Sequence, residues 1–238
     1  MDKNVNKKFL EVLNEKKWDK AIFITEYASN GSSRPKIIIE SEGKEEFFGG
    51  FEIFDLADLV NEKYKSVIND SLKRFNRVEI KLFPDGNQIE KFWWDDKKEI
   101  ENKLNSASVF YQWLNETMMN RIFDYERDNN LLTPVYNEDG DFDYHESSWD
   151  NGLFEFKVES DKINHLITLI KDGNSRILKM PLPEYIDKAI LEHHEITNNE
   201  LKKEWDPWNI LIIKSPHNDI PYNDWKQYVT YKLDDSLL

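Results

Sequence analysis

Cysteine is missing from all 238 residues. A disulfide framework is thereby excluded, and so are thiolate metal sites and a cysteine nucleophile. The absence fits a reducing cytoplasm. Glycine is scarce, with eight residues. Backbone that closes on a phosphate or presents a nucleophile needs glycine at fixed spacings, and neither a phosphate-binding loop nor a Gly-x-Ser-x-Gly elbow is found. Long apolar runs are also lacking. None approaches the ~20 residues that cross a bilayer, and the opening MDKNVNKKFLEVLNEKKW has no apolar stretch of the signal-peptide kind. Excess positive charge is missing too: 32 Lys and Arg face 46 Asp and Glu, for a net charge of −14. Phosphate contacts supply most nucleic-acid affinity and leave a basic footprint. This chain as a whole repels nucleic acid and anionic membranes and attracts basic proteins or cations. A cytoplasmic protein is expected, with no cofactor, no direct nucleic-acid binding and no membrane contact.

What is present suffices for a core. Hydrophobic residues make up 39% of the chain and aromatics 13%, and the length allows one large domain or two small ones. Residues 4–17 carry Val5, Phe9, Val12 and Leu13 at helical spacing. AIFITEY (21–27) and PKIIIE (35–40) read as strands across a Ser-Asn-Gly turn. Residues 52–75 switch to helical period through Leu56, Leu59, Val60, Val67, Ile68, Leu72 and Phe75. VEIKLFPDGNQIEKFWWDD (78–96) then reads as a hairpin around Pro-Asp-Gly-Asn.

The second half has a similar order. A helix is predicted over 108–127, with Ser106 or Ser108 as N-cap. LFEFKVE (153–159) follows as a strand, and INHLITLIKDGNSRILKM (163–180) reads as a hairpin around Asp-Gly-Asn better than as a helix. A helix begins near Pro183 and restarts at the capping-box spacing Thr197-Asn-Asn-Glu200. NILIIKS (209–215) and DWKQYVTYKLD (224–234) close the chain as strands. Asp95-Asp96 and Asp234-Asp235 end the two halves. The expected class is α+β, mostly antiparallel sheets packed with amphipathic helices, in two modules, 1–100 and 101–238, of α-ββ-α-ββ order. The repeat is one of element order only.

Several constellations bear on chemistry. Glu79-Ile80-Lys81 on a strand, preceded by Asp70, has the acid and lysine of a metal-dependent nuclease, where the lysine stabilises developing charge. Alternating apolar and charged residues on a half-exposed strand give the same pattern, and Val78, Ile80 and Leu82 are expected to face the core. Glu192-His193-His194-Glu195 lacks the i, i+4 histidines of a zinc helix, so His193 is expected as a hydrogen-bonded histidine at the core edge. No catalytic residue and no metal ligand is assigned.

Composition shifts sharply after the 108–127 helix. From Asp128 to Phe156 there is no Lys or Arg, against eight acids. Gly140, Gly152, Pro134 and several Asn mark the span as largely loop. Asp139, Asp141 and Asp143 have the alternation that opens an EF-hand calcium loop. The glycine falls inside the triplet, however, and no bidentate Glu stands at the twelfth position. A calcium-holding loop, a solvated acidic loop and an acidic recognition surface are the alternatives. The aromatics set among the acids favour recognition. The candidate partner-binding residues are Glu138, Asp139, Asp141, Asp143, Glu146 and Asp150 as charge contacts, with Tyr144 and Trp149 as anchors.

The first module resembles a known family. Trp18 opening WDKAIFITEY, a Ser-containing turn, IIIES, a Phe-Phe segment, a long helix ending in RFN, and KLFPDGNQIEKFWWDD are similar to the YezG-like immunity proteins. Their pattern has a W-x-K-apolar strand and a closing Asp-Gly hairpin with aromatics. The resemblance covers about residues 5–96. It implies a small bacterial α+β protein of the cytoplasm that binds and neutralises a cognate secreted toxin, often a nuclease. The family pattern carries no catalytic residues to transfer. An acidic, aromatic-bearing surface suits a basic nuclease, since long-range attraction speeds encounter. The expected function is therefore an immunity protein against a basic toxin. The alternatives are a non-catalytic adaptor and a metal-dependent nuclease using Glu79 and Lys81. Incubation with DNA and RNA plus magnesium or manganese separates the last of these. No cleavage is expected, and cleavage lost in Glu79→Ala would overturn the assignment.

Overall fold

A computed structural model describes residues 10, 13, 17–28, 31–48, 52–216 and 227–234. The expected helix over 4–17 lies mostly outside these residues; Leu10 and Leu13 are helical, and Leu13 is buried. The chain divides into two compact units, Met1–Lys103 and Leu104–Leu238. The class is α+β with antiparallel sheets.

The first unit contains β1 (Lys20–Glu26), β2 (Lys36–Ser41), β3 (Lys44–Phe48), α1 (Glu52–Val67), β4 (Arg77–Leu82) and β5 (Gln88–Trp93). Its five-stranded sheet has the order β3-β2-β1-β4-β5. Side chains alternate along a strand, so every second residue enters one face. Phe23 therefore sits between Ile37 and Ile80, and all three are buried with Leu56, Ala57 and Val60 of α1. Val78, Ile80 and Leu82 face this core, as their alternation predicts. Glu42 and Gly43, both at positive φ, make the two-residue β2–β3 turn. α1 stops at Val67, eight residues before the predicted end. The Asp70 carboxylate accepts from the Leu72 amide at 3.0 Å and so stabilises a turn in place of helix. Leu72 is consequently exposed, while Phe75 still reaches the core from outside the helix.

Asn76 closes this unit. Its side chain donates to the Asp95 carbonyl at 2.9 Å and accepts from the Asp95 amide at 2.7 Å. The Asp95 carboxylate in turn accepts from the amides of Lys97 and Lys98 at 3.0 and 3.2 Å, which starts α2 (Asp96–Asp128). This helix begins twelve residues before the predicted start. Its first turns, DKKEIENKLNSA, are mainly polar and show no clear apolar period, and the N-cap is Asp95 rather than Ser106 or Ser108.

The second unit holds the rest of α2, β6 (Thr133–Tyr136), β7 (Phe142–Glu146), β8 (Asn151–Glu159), β9 (Lys162–Lys171), β10 (Asn174–Leu178), α3 (Glu184–Glu195), β11 (Ile210–Ser215) and β12 (Val229–Lys232). Its larger sheet has the order β10-β9-β8-β11-β12. Phe154, Phe156, Ile167, Leu169, Leu211 and Ile213 come from the strands. They pack with Leu114, Met118 and Ile122 of α2 and Ile186 and Ile190 of α3. The segment 163–180 is the hairpin that its Asp-Gly-Asn predicts. The predicted restart at Thr197 is not seen; α3 continues into a π-helical turn, Ile196–Glu200. The Thr197 hydroxyl donates to the His193 carbonyl at 2.8 Å and accepts from the Trp208 indole at 2.8 Å, so it is a core contact and not a cap. The predicted strand over 224–234 is seen as Val229–Lys232, and 224–226 lie outside the described residues.

His193 is buried, stacks on Phe110 at 4.1 Å and lies 2.9 Å from the Tyr231 hydroxyl. Burial, reinforced by the neighbouring His194, lowers its pKa to about 3 from an ordinary 6.5. Between those values the unfolded chain holds the extra proton, so stability rises with pH. Acidification from 6.5 toward 3 should cost this unit up to about 1.4 kcal/mol per pH unit from His193 alone. Urea unfolding at several pH values, followed by tryptophan fluorescence, should show that component of the slope in the native chain and not in His193→Gln.

Candidate protein-binding surface

The acidic span is not a loop. Its centre folds as a two-stranded hairpin, β6 and β7, and its end is the first half of β8. The Asn137 carboxamide organises the hairpin turn. It accepts from the amides of Asp139 and Asp141 at 3.1 and 2.9 Å, while Gly140 takes a positive φ of 84° that glycine adopts without a side-chain clash. An asparagine that satisfies its own turn is a common reason for this residue type between strands. Its carboxamide leaves the neighbouring carboxylates free to point outward.

Glu138, Asp139, Asp141 and Asp143 are all exposed. Among the described residues, no basic side chain pairs with any of the four. Tyr144 stands on β7 opposite Val135 and is 54% exposed. Two aromatics that were not among the candidate residues join it. Tyr136 and Phe142 are directly paired across the hairpin, meet edge to face at 6.4 Å, and are both more than half exposed. Phe142 also lies 4.9 Å from the His145 ring. The alternation in TPVY and FDYHE around Asp-Gly-Asp is the signal that could have identified this hairpin, but the glycine and acid content favoured loop.

The rest of the candidate set lies elsewhere. Trp149 is 2% exposed and packs in the second unit's core at 6.1 Å from Phe154. The expectation of Trp149 as an interface anchor is corrected, because its indole is already spent on the core. Asp150 begins the larger sheet and accepts from the Asp172 amide at 3.1 Å. Lys171 lies 3.1 Å from Asp150 and 3.6 Å from Glu146, and the hydrogen bond it donates to Asp150 raises the lysine's pKa. The span has no Lys or Arg in sequence, yet β9 supplies a lysine in space. Glu146 and Asp150 are thus partly neutralised, and the span's acids without a basic partner among the described residues lie at the hairpin tip.

The hairpin hangs on a polar clamp. Glu126, in the last turns of α2, is completely buried. Its carboxylate accepts from the Ser148 hydroxyl at 2.7 and 2.6 Å and pairs with Arg176 of β10; Arg176 also donates to Ser148 at 2.6 Å. The helix end, the base of the hairpin and the sheet edge meet at this one carboxylate.

Among the other sequence candidates, Glu79 and Lys81 meet as a surface ion pair and Asp70 pairs elsewhere. Lys81 lies 3.1 Å from Glu79 on the more exposed face of the first sheet, and Asp70 pairs with Lys73 at 3.1 Å in its own turn. His194 is held by Asn198 at 2.7 Å and approaches the Trp208 ring edge to face at 5.0 Å, with burial lowering its pKa. No group of three or more acids and histidines converges on a metal-sized space among the described residues. Asp139 and Asp141 flank Gly140 in the hairpin turn, and Asp143 lies on β7.

No protein-family model matches the chain, and no curated protein matches it.

Glu126 is fully buried but its partner Arg176 is 41% exposed, so solvent offsets part of the loss, and removing the arginine should cost about 1–3 kcal/mol, the range for a buried acceptor that loses a partner. Arg176→Met should lower the urea midpoint by a corresponding amount. Glu126→Gln, which keeps an acceptor for Ser148, should lower it less. Denaturant titration of both variants checks the order.

Proposed function

We propose that the protein is an immunity protein that neutralises a cognate toxin of basic character, a nuclease domain being the best fit, through the β6–β7 hairpin. The observation that carries this proposal is the hairpin itself: four exposed carboxylates at its tip, none paired with a basic side chain among the described residues, beside three exposed aromatics, Tyr136, Phe142 and Tyr144. Aromatic anchors ringed by charge suit a protein partner. A chain of charge −14 suits a basic one, since complementary fields speed encounter. Residue patterns in the first unit that resemble the YezG-like immunity proteins support the same reading. Neutralisation by occupation needs no catalytic group.

The partner is sought as the product of the adjacent gene, which should encode a secreted toxin with a basic C-terminal domain. Co-purification of the two gene products is the first test. With the complex in hand, Asp139→Asn, Asp141→Asn and Asp143→Asn combined should slow association at low salt far more than at high salt, because rim charges act through the long-range field. Phe142→Ala and Tyr144→Ala should shorten complex lifetime at either salt, by roughly 2 kcal/mol for a true anchor. If all of these variants bind with unchanged rates, the hairpin is not the interface. If the neighbouring product is not a toxin, an adaptor role replaces immunity.

A further inference from the structure

We infer that the chain carries one folding module twice, and that the β6–β7 hairpin is an insertion peculiar to the second copy. The two larger sheets share one strand order, a three-strand meander, a helix and a returning pair, with the fourth strand placed beside the first in each. Shared topology alone is weak, because few orders are available to antiparallel sheets. Two further correspondences, at Asp19 and Asp150 and at Asn76 and Asn209, join a residue identity to the same hydrogen bonds, and turn conformation and strand register agree with them.

Trp18-Asp19-x-Ala21-Ile22-Phe23 corresponds to Trp149-Asp150-x-Gly152-Leu153-Phe154. Both tryptophans pack on their unit's core, and Phe23 and Phe154 are both fully buried. In the first unit the Asp19 amide donates to the Glu40 carbonyl at 2.7 Å and its carboxylate accepts from the Glu42 amide at 2.6 Å. In the second the Asp150 amide donates to the Ile170 carbonyl at 2.7 Å and its carboxylate accepts from the Asp172 amide at 3.1 Å. The capped turns themselves match: Glu42-Gly43 and Asp172-Gly173 each have two consecutive positive φ angles, 52° and 74° against 49° and 78°.

The closing clasp is also doubled. Asn209 donates to the Asp234 carbonyl at 2.8 Å and accepts from the Asp234 amide at 2.7 Å, as Asn76 does with Asp95 at 2.9 and 2.7 Å. Each asparagine follows a buried aromatic, Phe75 or Trp208, and precedes a strand that ends in Ile-Lys followed by one more residue, Ile80-Lys81 or Ile213-Lys214. The registers agree as well. Phe23 pairs with Ile37 and Ile80, and Phe154 pairs with Ile167 and Ile213.

With this correspondence the hairpin stands out. Buried, helical Leu13 precedes Trp18 by five positions, whereas buried Ile122 precedes Trp149 by twenty-seven. The extra chain is the end of α2 and the hairpin. Cα partners Thr133 and Glu146 lie directly opposite at its base, so it can be removed without stretching the backbone. That the inserted element also holds the partner surface rests on the function proposed above.

Two experiments on the full chain test the inference, both read by amide hydrogen exchange. Asn76→Ala and Asn209→Ala should each speed exchange about tenfold or more in the strands of their own unit and leave the other unit unchanged. A large effect from one and none from the other would show that the clasps are not equivalent and would overturn the duplication. Replacing Pro134–His145 by Asn-Gly, which favours a two-residue hairpin turn, should leave protection across β8 to β12 within about threefold of the parent chain. Collapse of that protection would show that the hairpin belongs to the module and overturn the insertion. Retained protection supports it whether or not the shortened chain still binds the toxin, so failure of the proposed interface and failure of the insertion are read separately.

Discussion

Each larger sheet must bury one face of its strands under helix while leaving the other face more open, and the two-residue period of a strand decides which residues go where. Phe23 in the first unit and Phe154 in the second are the central residues of that arrangement, each pinned between two aliphatic partners on neighbouring strands. Slipping either strand by one residue would turn its phenylalanine outward and expose the apolar set with it. The polar devices around the sheets, Asp19 and Asp150 on their turns and Asn76 and Asn209 on their clasps, hold that register at the ends, where strand pairing alone is weakest.

Among the described residues, the buried glutamate and the buried histidine both belong to the second unit. Glu126 brings a charge wholly into the interior, which is tolerated only because Arg176 and Ser148 meet it there. Arg176 comes from β10, Ser148 from the hairpin base and Glu126 from α2, so the carboxylate ties three elements together. His193 shows the neutral version of the same rule. It is kept uncharged by burial among Phe110, Trp205 and Trp208 and hydrogen-bonded to Tyr231. Its place at the core edge is the one that its position on the apolar side of α3 predicts.

Charge reads differently in space than along the chain. The span 128–156 contains no Lys or Arg, yet Lys171 lies against Glu146 and Asp150. What remains without a basic partner among the described residues is a short stretch at the hairpin tip, next to aromatics that the hairpin cannot bury because it has only two strands and no cover. A two-stranded element of this kind exposes both faces, which is why Tyr136, Phe142 and Tyr144 stay accessible while Trp149, a few residues on, is buried.

The sequence by itself determined the class, most of the strands and the inward-facing residues Val78, Ile80 and Leu82, because alternation and Asp-Gly turns are local signals. It also marked where the negative charge collects. Only the tertiary structure decided the rest. α2 begins at Asp96 because Asp95 is positioned by Asn76, nineteen residues away, and no local pattern carries that. Trp149 became core and not anchor because β8 places it beside Phe154. The likeness between the halves was visible only as element order. Tryptophan 18 aligns with tryptophan 149, and Asn76 with Asn209, at different offsets, since turns and insertions shift the count between strands. Strand register, which is set by pairing between distant segments, is what brings those residues into correspondence.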